Sequence, residues 1–285
     1  MKTRYPIVLV HGLGMKDTFF MKSWGQIDRI LRIQGYTVYK SDVDAFGTVE
    51  GNAAQLRAEI ERIVRETGVE KVNIIAHSKG GLDAKHMIRQ MDMARHVASL
   101  TTLCTPHKGT PIASFVMRFP KFAVKFAAFW VNTAYRLLGD KAPDSFTACE
   151  ELKRTEDLAQ ETMNVGEGVM CQSFSAAMRP GSGDADFVMT VPMIFSRFLE
   201  KDKLTDGMVP QDSAIFGTYR GTVWTGPCPI RRSWTSWCGI GSGTRSMPSI
   251  RPCARSWQGR ASETKKPGRL PFRLAFCLFT RRPPG

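Results

Sequence analysis

A serine between an apolar strand and a helix is the feature that most constrains how this chain folds. Residues 72–76 are apolar except for Asn73 and predict a buried strand, and residues 81–91 predict a helix. Ser78 lies between them, in the run AHSKGG of residues 76–81. Small flanking residues indicate a nucleophile elbow, because the strained turn brings both flanks close to the serine. The alternative is an ordinary loop in which Ser78 caps the helix.

Strands and helices alternate along the first hundred residues. β-branched and apolar runs predict strands, and apolar residues at helical spacing predict helices that end at glycines. The predicted strands are 7–10, 36–39, 72–76 and 97–103, the predicted helices are about 24–34, 55–67 and 81–91, and further strand-like runs follow at 170–174 and 187–195. This alternation predicts an α/β fold, with a mostly parallel sheet that helices cover on both faces.

Four motifs carry a resemblance to a known family. In chain order they are YPIVLVHGLG at 5–14, AHSKGGLD at 76–83, LCTPHKGT at 103–110 and DGMVP at 206–210. Over most of residues 5–225 the chain resembles bacterial triacylglycerol lipases of the α/β-hydrolase superfamily. The resemblance implies an α/β-hydrolase fold with a helical lid. It also implies Ser78 as the nucleophile and Asp206 as the acid that orients the catalytic histidine.

The glycine-bearing loop HGLG at residues 11–14 points to an oxyanion hole. In an α/β-hydrolase this loop supplies one backbone N–H, and the residue after the nucleophile supplies the second. In this chain those donors are the N–H groups of Leu13 and Lys79. Taken alone, the loop is more often an ordinary glycine-rich turn.

Asp206 is also singled out by its local sequence, because it stands directly in a turn after a late apolar strand. Asp202 and Asp212 are close rivals for the same role. Without the resemblance, a plain Asp-Gly turn explains Asp206 better than a catalytic acid does.

The histidines do not complete the triad. The five are His11, His77, His86, His96 and His107. In this fold the order along the chain is serine, aspartate, histidine, and no histidine follows Asp206. His107 is tempting as a base, but in the family the corresponding residue lies beside the site, so we expect a structural role. Without a base, Ser78 keeps its proton and acyl transfer slows by orders of magnitude.

The net charge of +14 is concentrated at one end of the chain. Residues 226–285 hold 12 basic residues and one acidic residue, a balance of +11, whereas the remaining 225 residues hold 28 and 25, a balance of +3. The charge is therefore a property of a tail, and we expect no nucleic-acid partner. We expect a single α/β-hydrolase domain over residues 1–225 and an atypical basic tail over 226–285.

We hypothesise that this tail is translated from a shifted reading frame. Tryptophan has a single codon, so a frame moved by two bases turns Trp234-Thr235 into Asp, about where the family has a His-x-Asp segment. The shifted frame allows an amphipathic final helix, although it does not yield the histidine itself. The alternatives are a disordered tail, or a genuine basic extension that binds nucleic acid or anionic lipid.

These patterns together predict a serine carboxylester hydrolase, a lipase or esterase that releases fatty acid from acylglycerol-type esters. The alternative is a non-catalytic acyl-binding or interaction protein with a hydrolase fold. The apolar stretch at about 110–165 lies where this fold carries its lid, and its stripe is either core packing or a face that contacts a lipid–water interface.

We expect no organic cofactor. Some lipases of this kind hold a structural Ca²⁺ near the catalytic histidine, but here no ligand for it can be assigned. No run approaches the roughly 20 apolar residues that span a bilayer, and no signal peptide is evident, so we expect a cytoplasmic protein.

Overall fold

The computed structural model describes residues 3–17, 22–155, 165–178, 198–199 and 204–225. The strands are β1 (Ile7–Val10), β2 (Val38–Lys40), β3 (Val72–His77), β4 (Val97–Leu103), β5 (Met170–Met178) and β6 (Thr218–Thr225). The helices are α1 (Ile27–Ile33), α2 (Val49–Thr67), α3 (Lys79–Gln90), α4 (Pro111–Val116), α5 (Lys121–Leu137), α6 (Ser145–Glu151) and α7 (Gln211–Ala214).

The six strands form one parallel sheet in the order β2-β1-β3-β4-β5-β6. Parallel neighbours need crossover connections, and the helices between successive strands supply them. The predicted α/β fold is therefore confirmed. All carboxyl ends of the strands lie at one edge of the sheet, which is where open α/β sheets bind their ligands.

Side chains alternate between the two faces of the sheet, and each face has its own core. One core packs β1, β3 and β4 against α2 and α3. Its buried members include Val8, Val10, Ile74, Ala76, Leu56, Ile60, Met87 and Ile88. The other core packs the intervening positions against α1, and includes Ile7, Leu9, Ile75, Leu103, Trp24 and Leu31. Both faces of the sheet are thus covered.

Helix α2 begins six residues before its predicted start. The side chain of Thr48 caps it by accepting a hydrogen bond from Gly51 N at 3.0 Å. Gly68 ends it in the left-handed conformation, with φ at 68°. The stripe of large apolar side chains starts at Leu56, whereas the residues before it bury only Asn52 and the small Ala53, so the stripe alone misses the first turns.

The helical stretch after β4 forms three helices, α4, α5 and α6. Pro120 stands before α5, and Asp144 caps α6 by accepting from Thr147 N. The predicted lid reaches residue 165, of which residues 156–164 lie outside the described ranges. The predicted strand at 187–195 and the tail at 226–285 also lie outside them. None of the described helices is long and apolar enough to cross a bilayer.

Candidate active site

Ser78 has the backbone of a nucleophile elbow. It joins β3 to α3 with φ at 50° and ψ at −131°, a left-handed conformation that a serine rarely adopts. It stands at the N-cap of α3, yet its side chain makes no capping hydrogen bond. The alternative interpretation, a serine that caps the helix, is therefore wrong. The Ser78 hydroxyl is half-buried at the carboxyl edge of the sheet.

Small residues around Ser78 allow three segments to pack at backbone distance. A Cβ at Gly80 would overlap the carbonyl oxygen of His11, and a Cβ at Gly81 would overlap the Thr105 side chain. A Cβ at Gly12 would lie 2.7 Å from the Cβ of Ser78. The loop after β1 and the elbow therefore touch, as the oxyanion-hole prediction requires.

Leu13 and Lys79 present backbone N–H groups at this contact. Lys79 is the first residue of α3, where an N–H has no acceptor within the helix and the helix dipole is positive. Within the described ranges neither N–H donates to another group of the protein. Gly14 holds the loop beside Leu13, since its N–H donates to Ala45 O at 2.9 Å and its carbonyl accepts from the Tyr135 hydroxyl at 3.1 Å.

The side chain of Lys79 turns away from solvent into a buried ion pair. Its Nζ lies 2.6 Å from Asp83 Oδ1, and both side chains are about 1% exposed. Asn52 donates to the second oxygen, Asp83 Oδ2, at 3.0 Å. Burial raises the pKa of the Asp83 carboxyl, although Lys79 opposes the shift. Sequence analysis missed this pair, and the Lys-Asp spacing of four residues on a helix was the available signal.

Cys104 is the lateral neighbour of Ser78. His77 and Leu103 pair in the register of β3 and β4, so Ser78 and Cys104 follow the two strands side by side. The Cys104 backbone is also left-handed, with φ at 51°. Its thiol faces the Asp206 carboxyl and favours the ionised form of that group. This neighbour links the Asp206 loop to the strand edge that carries Ser78.

Asp206 is a buried carboxylate whose two oxygens differ in their hydrogen bonds. Oδ1 accepts hydrogen bonds from Met208 N at 2.9 Å and from Val209 N at 2.7 Å. Oδ2 has no hydrogen-bond partner among the described residues. Burial raises the pKa of the carboxyl, and the two amides and Cys104 oppose the shift. A plain Asp-Gly turn at a surface would expose this side chain, whereas Asp206 is 4% exposed.

The rivals of Asp206 do not share these properties. Asp212 pairs with Arg154 through oxygens that lie 3.1 and 3.2 Å from Arg154 Nη2, in a partly exposed ion pair. Asp202 lies outside the described residues. Among the described candidates, Asp206 alone is both buried and left with an unbonded oxygen.

None of the five histidines hydrogen-bonds Ser78 in the described part of the chain. His107 instead shares a hydrogen bond of 3.1 Å with the Thr102 hydroxyl and stacks on Phe216, with ring centroids 4.4 Å apart. Burial lowers the pKa of His107 to about 3, with a further contribution from Lys85. The geometry favours the structural role expected for His107.

Two further histidines brace the loops of the site. His11 bonds the carbonyl oxygens of Gly12 and Val43 through its two ring nitrogens. His77 packs edge-on against Trp24, and burial, followed by the charge of His11, lowers its pKa to about 4. His96 is half-buried and bonds Glu70 O. In the described ranges no group of three His, Cys, Asp or Glu side chains is arranged to hold a metal ion.

A parallel sheet with a strained serine between strand and helix defines the α/β-hydrolase fold, and solved structures agree. The lipase BlEst2 of Bacillus licheniformis, in its mature form, superposes with a TM-score of 0.57 at 22% identity, covering 82% of this chain and 85% of that one. A metagenomic carboxyl esterase superposes with a TM-score of 0.62 at 19% identity, covering 82% and 70%. These likenesses establish the fold.

The chain belongs to the palmitoyl protein thioesterase family, whose model matches residues 6–161, more than half of the chain. Similar relatives are the triacylglycerol lipases of Pseudarthrobacter phenanthrenivorans and Burkholderia plantarii, each 38% identical over 119 residues. Those matches cover 40% of this chain and 37% and 33% of the relatives. The chain thus spans about a third of their length. The expected lipase family within the α/β-hydrolase superfamily is confirmed.

Proposed function

We propose that this protein is a serine carboxylester hydrolase that releases fatty acid from acylglycerol-type esters. The observation that carries the proposal is the Ser78 elbow. Its backbone is strained, and among the described residues neither its hydroxyl nor the N–H groups of Leu13 and Lys79 have a partner. Strain of this kind clusters at active sites. The names of the relatives support the same reaction class.

The proposed chemistry has two half-reactions. Ser78 Oγ attacks the ester carbonyl, its proton passes to a base, and the N–H groups of Leu13 and Lys79 hold the oxyanion. The base returns the proton to the departing alcohol and leaves an acyl group on Ser78. Water then releases the fatty acid by the same route. Asp206 Oδ2 accepts the N–H of the imidazole that serves as base, which explains why that oxygen has no other partner.

The imidazole itself does not come from the histidines that the structure describes. We propose that it belongs to the segment after β6, where the written tail departs from the family. The shifted-frame hypothesis predicts that the coding sequence of residues 226–262 reads a His-x-Asp segment in another frame. Sequencing that DNA tests it, and the absence of such a segment in every frame would refute the hypothesis.

Thioesters are a second substrate class, because the matching family model is that of palmitoyl protein thioesterases. The same nucleophile and oxyanion donors attack an oxygen ester and a thioester, and the two differ in the leaving group. A comparison of palmitoyl-thioester and palmitoyl-glycerol substrates at equal chain length separates the two activities.

Ester hydrolysis measured on matched variants tests the proposal. We would assay the full chain with nitrophenyl butyrate, with and without imidazole, beside Ser78→Ala and a version with the tail frame restored. Ser114→Ala, which changes a serine of α4 that the mechanism does not use, is the control. We expect turnover that depends on Ser78 in the restored version, and in the given chain when imidazole is added. Equal turnover by Ser78→Ala would favour the non-catalytic acyl-binding protein.

We also propose that the helices after β4 bring the site to a lipid–water interface. Helix α5 buries only Ala128, while its side chains Phe122, Phe126, Phe129 and Trp130 stand in solvent. An exposed apolar surface of this kind marks an interaction site. Its position in the lid segment supports lipid aggregates as the source of the substrate.

A further inference from the structure

Asn52 is a buried side chain in the first turn of α2 that uses both hydrogens of its amide group. Its Nδ2 donates to Asp44 O at 2.9 Å and to Asp83 Oδ2 at 3.0 Å. An asparagine carries two donor hydrogens on this nitrogen, so its donor capacity is filled. Asn52 therefore joins the loop that contains Asp44 to helix α3, which contains Asp83.

The orientation of the Asn52 amide follows from its neighbours. Nδ2 faces two acceptors, a backbone carbonyl and a carboxylate. Oδ1 faces the backbone of Gly47, where a Cβ would lie 2.1 Å away, and it has no hydrogen-bond partner among the described residues. A flipped amide would place Oδ1 against two acceptors, which repel it. The two donor hydrogens therefore point to Asp44 and Asp83.

The loop at residues 43–45 holds both ends of the HGLG loop. The carbonyl of residue 43 bonds the ring Nε2 of His11 at 3.1 Å, and the carbonyl of residue 45 accepts from Gly14 N at 2.9 Å. The carbonyl that Asn52 binds belongs to the residue between them. Leu13, whose N–H is one of the proposed oxyanion donors, lies between the two attached positions. Asn52 thus supports the Leu13 amide through one intervening loop.

The other acceptor of Asn52 belongs to the buried ion pair of α3. Asp83 accepts from Asn52 on Oδ2 and pairs through Oδ1 with Lys79 Nζ, 2.6 Å away. Lys79 is the first residue of α3, and its N–H is the second proposed oxyanion donor. Both side chains of the ion pair are about 1% exposed, so solvent screens it little. One asparagine therefore joins the supports of both donors.

Close packing and the Asn52 bridge act in opposite directions on the two segments. A Cβ at Gly80 would overlap His11 O, and a Cβ at Gly12 would lie 2.7 Å from the Cβ of Ser78. Backbone contact therefore limits how closely the HGLG loop and the elbow approach each other. The hydrogen bonds through Asn52 oppose their separation, so the two effects together fix one distance.

We propose that Asn52 is a positioning residue that sets the distance between the two oxyanion donors, the N–H groups of Leu13 and Lys79. Both donors must lie about 2.7–3.1 Å from one developing oxygen, and a misplacement of about 1 Å can lower the rate about 100-fold. Asn52 acts through Asp44 and Asp83, which it bonds, and not through a contact with the ester. The inference deepens the proposed function and rests on it for the role of the two N–H groups.

Kinetics of Asn52→Leu test this role, because leucine has nearly the shape of asparagine and no donor. The full chain is assayed with nitrophenyl butyrate at a fixed imidazole concentration. We expect kcat to fall about tenfold and KM to change less than about twofold, since misplaced donors weaken binding of the transition state rather than of the ester. An unchanged kcat, or a change in KM alone, would overturn the proposal.

Asn73→Leu is the matched control. Asn73 is also buried and its side chain also makes two hydrogen bonds, to Tyr5 O at 3.1 Å and from Ser99 Oγ at 2.7 Å. It lies near the amino end of β3, whereas Ser78 follows the carboxyl end. Asn73→Leu should lose a comparable amount of stability in urea and keep its kcat per folded molecule. An equal fall of kcat in both variants would overturn the proposal, because loss of stability would then explain it.

Asn52→Ser covers the case in which Asn52→Leu does not fold. Serine keeps one hydroxyl hydrogen and can donate to one of the two acceptors. We expect kcat to fall about threefold at nearly constant KM, because half of the bridge remains. A kcat equal to that of the unchanged chain would overturn the proposal.

Amide hydrogen exchange gives a measurement that needs no turnover. In Asn52→Leu or Asn52→Ser we expect faster exchange in residues 11–15 and residues 79–82 together, and in Asn73→Leu in neither. Faster exchange in one segment alone would overturn the bridge. If the unchanged chain shows no turnover that depends on Ser78, the proposed function fails, and the exchange result still decides whether Asn52 couples the two segments.

Discussion

Asp83 and Asp206 are both buried carboxylates of the candidate site, and burial raises the pKa of each. Asp83 is satisfied on both oxygens, by Lys79 and by Asn52. Asp206 Oδ1 accepts from two amides of its own turn, whereas Oδ2 has no hydrogen-bond partner among the residues that the structure describes. The first carboxylate holds the start of α3 and the elbow in place. Within the described part of the chain, the second has an acceptor oxygen that no donor reaches.

The comparison separates a buried carboxylate with both oxygens bonded from one with an oxygen that no described group bonds. A buried oxygen with no donor is unfavourable by roughly 1–3 kcal/mol, and more when the group is charged. The described residues contain seven buried side-chain atoms without a hydrogen-bond partner, and Asp206 Oδ2 is the one carboxylate oxygen among them. For Asp206 the proposed explanation is an imidazole N–H. We therefore expect substitutions of the two carboxylates to change stability in opposite directions.

Breaking the buried pair should produce the largest effect. Lys79→Met leaves Asp83 buried without its cation, and we expect a loss of about 3–5 kcal/mol in the free energy of unfolding. Urea denaturation measures it. Because an apolar pair of similar volume replaces a buried ion pair at little cost, Lys79→Met with Asp83→Leu should recover most of the loss. If Lys79→Met were as stable as the unchanged chain, the ion pair between Lys79 and Asp83 would have no structural role.

His107 extends the comparison to a buried base. Its pKa of about 3 lies below the value near 6.5 of an unfolded histidine, so the unfolded chain binds the proton first as the pH falls. His107 therefore favours the fold above pH 6.5 and destabilises it progressively below. Between pH 6.5 and 4 we expect a loss of roughly 3 kcal/mol from this group. His107→Asn should show a shallower loss in urea titrations at those pH values. An unchanged slope would contradict the burial of a neutral His107.

Asp206→Asn should raise stability, whereas Asp83→Asn should lower it because it leaves the buried Lys79 ammonium without its anion. The raised pKa of Asp206 means that ionisation opposes folding, so stability is lost as the pH rises from about 4 through the folded pKa. Asn keeps an acceptor for the turn amides and carries no charge, and we expect a gain of about 1–2 kcal/mol at pH 7 that disappears below pH 4. Thermal unfolding of both variants at pH 4 and pH 7 measures the two changes in stability. Equal signs would show that the two carboxylates play the same role.

The smallest effect concerns the loop that carries the Leu13 amide. Tyr135→Phe removes the hydrogen bond to Gly14 O but retains the edge-on packing on Phe46. We expect a loss of about 1 kcal/mol in the free energy of unfolding. In the version with the restored tail, kcat should fall while KM stays nearly constant, because the Leu13 amide is loosened rather than the substrate contacts. A change in KM alone would assign Tyr135 to substrate binding.

The sequence was most informative where the signal is local. The elbow around Ser78 and the bounds of β1 and β4 follow from runs of a few residues, and the structure agrees with them. The choice of Asp206 over Asp212 needed a long-range contact, since Arg154 comes from a segment 58 residues away. The burial of Lys79 could not be predicted, because a lysine and an aspartate four residues apart have the same sequence pattern on an exposed helix as on a buried one.

Acyl-enzyme trapping is the most direct test of Ser78 as the nucleophile and of Asp206 as the residue that receives the imidazole. The full chain is pulsed with nitrophenyl butyrate and imidazole, the imidazole is removed, and peptides are mapped by mass spectrometry. Deacylation needs the same base, so the adduct persists. We expect butyrylation at Ser78, and none in Ser78→Ala. Labelling should be weaker with N-methylimidazole, because this base has no N–H to donate to Asp206 Oδ2. No adduct at Ser78, or equal labelling with both bases, would contradict these assignments.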